Sequence, residues 1–559
     1  MYCLNVFLRG NKKIPFISLP VFLCCLLAFT SCQSKKKVAL IVHHAKIYTV
    51  DSAFSSAEAM AIENGKLLAI GSDKDIMATY VSDSMLDAGG NVIFPGFIDA
   101  HCHFTGMATD RWKCDLTGTR SFLEVVEKIK AYATNAPMEW IYGRGWDQND
   151  WPGKQYPDKH ILDSLFPNRP VFLKRIDGHA ALVNQKALDL AGVHAGTAIN
   201  GGSIEMKDGK LTGILIDNAM DLVDTKIPLI SDVLAKKYFN ELQQLCFAVG
   251  LTGVHDCGIG EHTLEMVDEE QQAGRLKMKI FALLSDSARY YPTWIKRGAY
   301  RTARLHMGGF KLYADGALGS RGACLLHDYS DEPGSKGFLL SDTAYFRSVT
   351  RMLAQSNLQL CTHAIGDSGN RQLLNIYAEV LKGKNDRRWR IEHAQVVDAN
   401  DFHFFKDYSI IPSVQPTHAT SDMYWAEERL GPERIGNAYA YLRLLQQNQW
   451  MPLGTDFPVE DISPFKTFYA AVIRKDGKGF PGNGFQTADA LSRQQAIMGM
   501  TIWAAKAAFE EEEKGSLEKG KSADFILLNT DLMSCKPERI LATEVLATYI
   551  NGEKVWGRK

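Results

Sequence analysis

The chain opens and closes with short apolar runs that are separated by turn residues. Near its start the runs Val38–Val42 and Ala45–Val50 predict strands, and Asn64-Gly65, between further apolar runs, predicts a tight hairpin. Near its end Ala523–Leu528 and Val545–Ile550 repeat this pattern. Because the ends of a domain commonly lie close together, we expect these segments to form one small β-sandwich domain.

Between these ends, apolar runs alternate with helix-length segments such as Ala344–Gln355 and Arg371–Lys382. The apolar runs are short and nearly continuous, as buried parallel strands are. They are Val92–Ala100, Gly253–Cys257, Lys277–Leu284, Gly309–Ala314, Leu358–His363, Arg390–His393, Ile410–Val414 and Met451–Thr455. Such a series of strand–helix units predicts an α/β fold with a TIM-type (β/α)₈ barrel.

The spacing of these runs also predicts the domain organisation. The first two barrel strands are separated by far more chain than one barrel unit needs, which indicates an insertion at about 113–248. The barrel is then expected over 92–505, and the two parts of the β-sandwich over 38–91 and 506–559. A signal peptide over 1–31 and a polar tether over 32–37 precede them.

The first residues have the pattern of a secretory signal. Three basic residues precede the apolar stretch Ile14–Phe29, and two small residues then lead to Cys32. This order resembles the lipobox of bacterial lipoproteins, in which the cysteine is acylated, although Phe29 stands where Leu is usual. We therefore expect a lipid anchor at Cys32 and a catalytic domain in the cell envelope, outside the cytoplasm. Ordinary cleavage that releases a free protein is the alternative.

The composition limits the classes of molecule that the protein is expected to bind. The formal net charge is −1 over 559 residues, which argues against nucleic acid, so a small-molecule substrate is expected. The acidic run Glu510–Glu513 is short and typical of a solvated helix face. The eleven cysteines show no CxxC pair, and most are expected to be buried small hydrophobic residues. An assembly of identical subunits is left open.

Candidate chemistry is concentrated at the ends of the predicted barrel strands, where functional residues of such barrels lie. These residues are His101, His103, Lys311, His363, His393 and Asp456. Alternate residues of a strand point the same way, so His101 and His103 can bind one metal ion together. An isolated His-x-His pair is weak evidence, but further histidines and an aspartate at later strand ends make a metal site the better interpretation. The alternative is a set of polar residues that are satisfied by hydrogen bonds.

Several motifs resemble the amidohydrolase superfamily, and in particular its family 3, which includes N-substituted formamide deformylases. The resemblance extends from Val38 to the end of the chain. It rests on Pro95-Gly96-Phe97-Ile98-Asp99-Ala100-His101-Cys102-His103, Gly145-Trp146-Asp147-Gln148, Asp177-Gly178-His179-Ala180, Ala187–Gly192, Asp315–Ser320, Thr455-Asp456 and Gly515–Asp524. Thr455 stands where Ser is common.

The resemblance implies a binuclear metal centre. His101, His103 and Asp456 would hold one ion, and His363 and His393 the other. Lys311, carboxylated on its amine, would bridge the two ions. Two divalent ions are expected, with zinc favoured by the imidazole-rich set. Asp456 would be ligand and general base at once. A lysine that pairs with Asp315 or with a substrate carboxylate is the alternative for Lys311.

Residues outside this set are candidates for binding the substrate. The resemblance gives His179 a role facing the substrate. Trp146, with Tyr142, Trp151 and Trp425, could form a pocket for an apolar group, although such residues are more often core. Arg321 could bind a substrate carboxylate through two hydrogen bonds.

The function expected from these features is hydrolysis of a non-peptide C–N bond, in an amide or an N-formyl amine, by metal-activated water. The same machinery would also serve an ester or a cyclic imide. A non-catalytic binding lipoprotein on the same fold is the alternative of another class, and the loss of a ligand would support it.

Overall fold

The structure is a computed structural model that describes residues 34–136 and 138–558. The predicted signal peptide and Cys32 lie outside the described residues. Within them, no helix has both the length and the apolar character that crossing a membrane requires. Lys36–Lys37, expected in the tether, already pairs with Tyr80–Val81 as a short parallel strand.

The largest element is a nearly closed barrel of parallel strands. In order around the barrel, they are Phe97–Cys102, Leu251–Ile259, Lys279–Ser285, Leu305–Tyr313, Gln359–Ala364, Arg390–His393 and Ile411–Ser413. The predicted eighth strand is reduced to a parallel bridge between Leu453 and Val414. On its other side the Ala100 amide donates to the Leu453 carbonyl at 3.1 Å, so the segment still joins the last strand to the first.

The first predicted strand is in fact two strands that belong to different sheets. Val92–Pro95 pairs with Phe525–Leu528, and the barrel strand begins only at Phe97. Gly96 lies between them, and a Cβ there would overlap the Thr252 side chain. The chain therefore changes sheets at the one residue that can approach the neighbouring strand so closely.

Both ends of the chain contribute to two further sheets. The six-stranded sheet contains Glu553–Gly557, Val545–Ile550, Phe525–Leu528, Val92–Pro95, Lys46–Tyr48 and Ser56–Ala57, in this order. The four-stranded sheet contains Lys66–Gly71, Ala59–Glu63, Leu40–His43 and Met85–Asp87. One buried cluster takes side chains from both sheets, among them Val42, Ile62 and Phe525. The predicted hairpin turns at Asn64 (φ 51°) and Gly65 (φ 75°), as a type I′ turn requires.

The segment predicted to be an insertion forms a six-stranded sheet of its own. Its strands, in order, are Cys114–Asp115, Ile141–Trp146, Val171–Arg175, Ala180–Val183, Lys210–Asp217 and Gly202–Lys207. The ends of Ile141–Trp146, Val171–Arg175 and Lys210–Asp217 lead to residues that line the cavity at the barrel mouth. This sheet therefore places side chains against the candidate site.

Helices cover the barrel and connect the strands. The bounds of the α-helices are Asp73–Thr79, Phe104–Asp110, Phe122–Ala133, His160–Leu165, Gln185–Ala191, Asn218–Asp224, Asp232–Ala248, Glu261–Gln272, Tyr291–Arg297, Thr343–Leu353, Asp367–Leu381, His403–Asp407, Pro416–Asp422, Ala426–Arg434, Tyr441–Asn448, Pro464–Ile473, Arg493–Gly499, Ile502–Ala507 and Pro537–Ile540. The predicted helix Ala344–Gln355 corresponds to Thr343–Leu353, which begins after Asp342, whose carboxylate accepts the Tyr345 amide.

Candidate metal centre

Two histidines and an aspartate converge at the mouth of the barrel. His101 and His103 lie at the end of the first barrel strand, and Asp456 follows the bridge at Leu453. Asp456 Oδ1 is 3.1 Å from His103 Nε2 and 3.5 Å from His101 Nε2. The Asp456 amide donates to the His101 carbonyl at 2.7 Å, so the backbone fixes this approach. The structure thus brings together the three residues expected to share one ion.

The Nδ1 atoms of His101 and His103 already have hydrogen-bond partners. His101 Nδ1 is 2.6 Å from the Glu392 carboxylate, and His103 Nδ1 is 2.8 Å from the Cys257 carbonyl. Both partners accept hydrogen bonds, so each Nδ1 carries the proton and each Nε2 presents a lone pair. Asp456 Oδ1 is also an acceptor, and no hydrogen bond satisfies it among the described residues. Three acceptors that face one another fit a cation between them.

His363 and His393 lie beside this set. Their ring centroids are 4.6 Å apart, and that of His393 is 4.9 Å from that of His101. Burial first, and then the neighbouring cationic groups, hold the pKa of both imidazoles well below its usual range. Within the described chain, the buried His393 Nδ1 has no hydrogen-bond partner. A neutral imidazole with a free nitrogen is again the form that binds a metal ion.

The backbone is strained where it presents these groups. His393 has a φ of 72° and Asp456 a φ of 64°, a region that L-residues rarely adopt. Consecutive strand residues normally point to opposite faces. The turn at His393 lets both Glu392 and His393 reach His101. Strain of this kind, about 1–3 kcal/mol per residue, is typical of functional sites.

Lys311 is buried, and its amine lies beside His101. Its Nζ is 3.2 Å from His101 Nε2. Burial lowers the pKa of the amine, but its surroundings, led by Tyr313 and Cys257, raise it, and the net direction is upward. The alternative pairing with Asp315 is not formed, because the carboxylate of Asp315 accepts the backbone amides of Cys324, Ile365 and Gly366 instead.

His418 belongs to the same cluster and was missed by the sequence analysis. Its Nε2 is 3.4 Å from Asp456 Oδ2, and its Nδ1 is 3.1 Å from the Glu460 carboxylate. His393, His418 and Asp456 form a second potential ligand group beside that of His101, His103 and Asp456. His418 lies on the helix Pro416–Asp422, which follows the seventh barrel strand. Its position after a strand end was the signal that could have found it.

Comparison with known proteins shows to which family the chain belongs. The sequence pattern of the amidohydrolase family matches residues 84–556, which is most of the chain. The chain belongs to the amidohydrolase family. It is 31% identical to the putative amidohydrolase YtcJ of Bacillus subtilis, over 92% of this chain and 99% of that protein. It is 26% identical to an N-substituted formamide deformylase of Arthrobacter pascens, over 92% and 97%.

A solved structure shares the fold of this amidohydrolase. The uncharacterised metal-dependent hydrolase of Pyrococcus horikoshii has a TM-score of 0.72 and 25% identity, over 89% of this chain and 99% of that one. The similarity therefore extends over most of the chain. The metal-dependent hydrolase predicted from the sequence is thereby supported at the level of family and fold.

A cavity of about 850 Å³ opens above the centre of this amidohydrolase. Its walls include His103, Lys311, His363, His393 and Asp456 from the barrel, and His179 from the insertion. His179 Nδ1 is 2.6 Å from the Asp217 carboxylate, and its ring centroid is 5.0 Å from that of His363. Burial lowers the pKa of His179, but Asp217 raises it, and the net direction is upward. His179 therefore lies where a group facing the substrate is expected.

Two residues proposed for the substrate lie elsewhere. Trp146 is 1% exposed, its indole N–H donates to the Leu173 carbonyl, and it does not line the cavity. Arg321 also lies outside the cavity lining and pairs with Asp331 at 2.8 Å and Glu332 at 3.0 Å. Neither group is free to contact the substrate in this geometry, since packing or ion pairing already engages it.

The other aromatic candidates divide in the same way. Tyr142 and Trp425 line the cavity. Trp151 packs beside Trp146 in the core of the insertion, and its indole N–H donates to the Thr119 carbonyl. Residue type suggested that four aromatic side chains line the pocket, and in the structure two of them do.

Proposed function

We propose that this amidohydrolase cleaves a C–N bond outside peptides, in an amide or an N-formyl amine, with two divalent ions at the barrel mouth. The observation that carries the proposal is the convergence of the acceptors His101 Nε2, His103 Nε2 and Asp456 Oδ1 in a buried site. Without a cation these groups would repel one another. With one, they form a ligand set of imidazole and carboxylate that suits zinc.

The residues around this set fit a second ion. Among the described residues, the buried Nδ1 of His393 has no hydrogen-bond partner, and the rings of His363 and His418 lie 4.6 Å and 5.9 Å from the His393 ring. Lys311, carboxylated, would bridge the two ions, as the resemblance implies. Nearby cations favour the loss of a proton from its amine, which carboxylation requires. Bound ions would supply polarisation of the scissile carbonyl and a water acidic enough to attack it near neutral pH.

Asp456 is the proposed proton carrier. Burial alone would raise the pKa of its carboxyl, but the surrounding imidazoles, among them His418 at 3.4 Å from Oδ2, give a net direction well below the usual range. The group is therefore ionised and able to accept a proton from the attacking water at Oδ2. It can then pass the proton to the leaving nitrogen, which departs as a neutral amine.

The type of bond is proposed from the relatives and from the cavity. The relative from Arthrobacter pascens is named for deformylation of N-substituted formamides. A cavity of about 850 Å³ holds far more than a formyl group, which leaves room for a large substituent on nitrogen. Tyr142 and Trp425 provide apolar surface for it. Esters and cyclic imides are the competing substrates.

The test is a matched panel of substrates with protein of known metal content. N-formyl amines, other amides, esters and cyclic imides with the same substituent are compared by kcat/KM. The proposal expects the amide and formamide members to be the best, and expects chelation to abolish turnover and zinc to restore it. Turnover that survives complete removal of metal would contradict it, as would turnover of the ester alone.

The cellular location is proposed from the sequence alone. The basic residues, the apolar stretch and Cys32 support a lipid anchor in the cell envelope. Replacement of Cys32 by Ser should release the protein from the membrane fraction or stop its maturation. An unmodified N-terminus and unchanged fractionation of the wild-type and Cys32→Ser proteins would contradict the anchor.

A further inference from the structure

One tyrosine at the barrel mouth lies beside the candidate metal ligands, and the mechanism proposed above does not use it. Tyr313 ends the strand Leu305–Tyr313 two residues after Lys311, so both side chains leave the strand on the same face. Tyr313 is paired in register with His363 of the neighbouring strand, and their ring centroids are 5.8 Å apart. The Lys311 amine lies 4.9 Å from the centre of the Tyr313 ring. The ring therefore belongs to the same layer of side chains as the candidate ligands.

The hydroxyl of Tyr313 reaches towards the other side of this centre. A Cβ at Gly258 would lie only 2.8 Å from Tyr313 Oη, so the hydroxyl lies against a backbone that carries no side chain. Gly258 also has a φ of 85°, which disfavours any other residue. Gly258 directly follows Cys257, whose carbonyl is 2.8 Å from His103 Nδ1. The phenol thus extends from a position beside His363 to the strand that supports His103.

This hydroxyl is a hydrogen-bond donor that faces the cavity. Tyr313 lines the cavity, and its Oη makes no hydrogen bond within the described part of the chain. Tyr142, another tyrosine of the cavity wall, differs in this respect, because its hydroxyl donates to the Asp224 carboxylate at 3.3 Å. A tyrosine hydroxyl can donate one hydrogen bond, and it usually has a partner where the ring is buried. The O–H of Tyr313 is therefore available to a molecule in the cavity.

We propose that Tyr313 is a catalytic residue whose hydroxyl donates a hydrogen bond to the oxygen of the scissile carbonyl. This inference rests on the proposed function and adds a residue to its mechanism. When the water oxygen bonds to the carbonyl carbon, the π electrons of the C=O bond move to the carbonyl oxygen, and the Tyr313 O–H stabilises the negative charge that develops there. The C=O bond forms again as the C–N bond breaks, so the phenol keeps its proton throughout. Asp456 still carries the proton of the water to the leaving nitrogen.

The kinetic test is Tyr313→Phe in zinc-loaded protein, with the best substrate of the panel described above. We expect kcat to fall by about 100- to 1,000-fold, which is the usual effect of removing one donor to a developing oxyanion. KM should change by less than about threefold, because the hydrogen bond strengthens only in the transition state. The metal content should equal that of the wild-type protein. A raised KM with unchanged kcat, or loss of metal, would overturn the inference, because Tyr313 would then be a wall of the binding site or a metal ligand.

The matched control is Tyr300→Phe, at a tyrosine outside the cavity lining. Tyr300 belongs to a short strand that pairs with the same barrel strand, and its hydroxyl donates to Asp268 at 2.7 Å. Loss of this hydrogen bond should lower the midpoint of thermal unfolding and leave kcat unchanged. Tyr313→Phe should do the reverse, with an unchanged midpoint, since its hydroxyl has no partner among the described residues. Equal losses of kcat in the two variants would overturn the inference.

A second measurement does not depend on turnover. A phosphonamidate with the substituent of the best substrate has a charged tetrahedral phosphorus in place of the carbonyl carbon. Calorimetry with zinc-loaded protein should show about 10- to 100-fold weaker binding to Tyr313→Phe than to the wild-type protein, because a hydrogen bond to a charged oxygen is lost. Equal affinity would overturn the inference. If only the assignment to C–N bonds were wrong, amides would not be turned over, but Tyr313→Phe would still slow the hydrolysis of the ester.

Discussion

The two sides of the cavity are built differently. On the barrel side, His101, His363 and His393 come from the ends of parallel strands of one barrel, so the fold itself brings them together. On the insertion side, His179 precedes the strand Ala180–Val183, which pairs with two neighbours, and its ring is 2.6 Å from the carboxylate of the strained Asp217. The barrel side has the converging acceptors that fit a cation, and the insertion side contributes His179 and Tyr142 to the cavity wall. The comparison indicates that the order of strands builds the barrel side, while the insertion side depends on contacts between residues that are distant in sequence.

Removing a ligand on the barrel side should have the largest effect. His101→Ala takes away one of the three converging acceptors and the imidazole that Glu392 contacts, and leaves Glu392 paired with Arg390 alone. We expect kcat/KM to fall by about 10³-fold or more, because the charge stabilisation of the transition state is lost. Activity and metal content are measured together, with circular dichroism to check the fold. Near wild-type turnover would show that the ion is held elsewhere.

Weakening the hydrogen bond that orients His101 should have a smaller effect on metal binding than removing His101. Glu392→Gln keeps a side chain of the same shape but removes the charge that fixes Nδ1 of His101. Loss of such an outer carboxylate typically lowers metal affinity by about 10- to 100-fold. Competition with a chelator of known affinity measures the change. Glu392 also pairs with the buried Arg390 at 2.7 Å, so the midpoint of thermal unfolding should fall as well.

Two tryptophans distinguish a cavity wall from a core position: Trp146 lies in the core of the insertion, and Trp425 lines the cavity from the barrel side. Trp146→Phe loses the 2.7 Å hydrogen bond to the Leu173 carbonyl and should cost about 1 kcal/mol of unfolding free energy, with KM unchanged. Trp425→Phe alters a cavity wall and should change KM for substrates with a large substituent, with a smaller effect on unfolding. Denaturant titration and steady-state kinetics on both variants check this. A change of KM in Trp146→Phe alone would reverse the assignment.

The barrel and its strand-end residues could be predicted because the same sequence pattern indicates both the strand and the residue at its end. A continuous apolar run marks a parallel strand, and the polar residue that ends it lies at the mouth, as with His363 and His393. The position of a strand end does not reveal what approaches from elsewhere in the chain. Asp217 is distant in sequence from His179, and His393 lies beside His101 although its strand neighbour Glu392 contacts the same ring, because His393 itself has a positive φ.

Residue type was the weaker guide. Trp146 and Arg321 are of types that often contact ligands, yet an aromatic ring on a strand packs on whichever face the strand buries, and a guanidinium pairs with the nearest carboxylate. His418 was missed for the opposite reason, because the helix that presents it begins after the strand pattern has ended. Such contacts depend on the tertiary structure and cannot be derived from local periodicity.

The most direct test of the central claim is the metal content of the purified protein, wild type and Lys311→Ala, by elemental analysis. We expect about two divalent ions per wild-type chain. We expect Lys311→Ala to lose one ion and most activity, with partial rescue by a short added carboxylate. Two firmly bound ions in Lys311→Ala, with only KM raised, would contradict the bridge. An active wild-type protein without bound metal would contradict the metal centre itself.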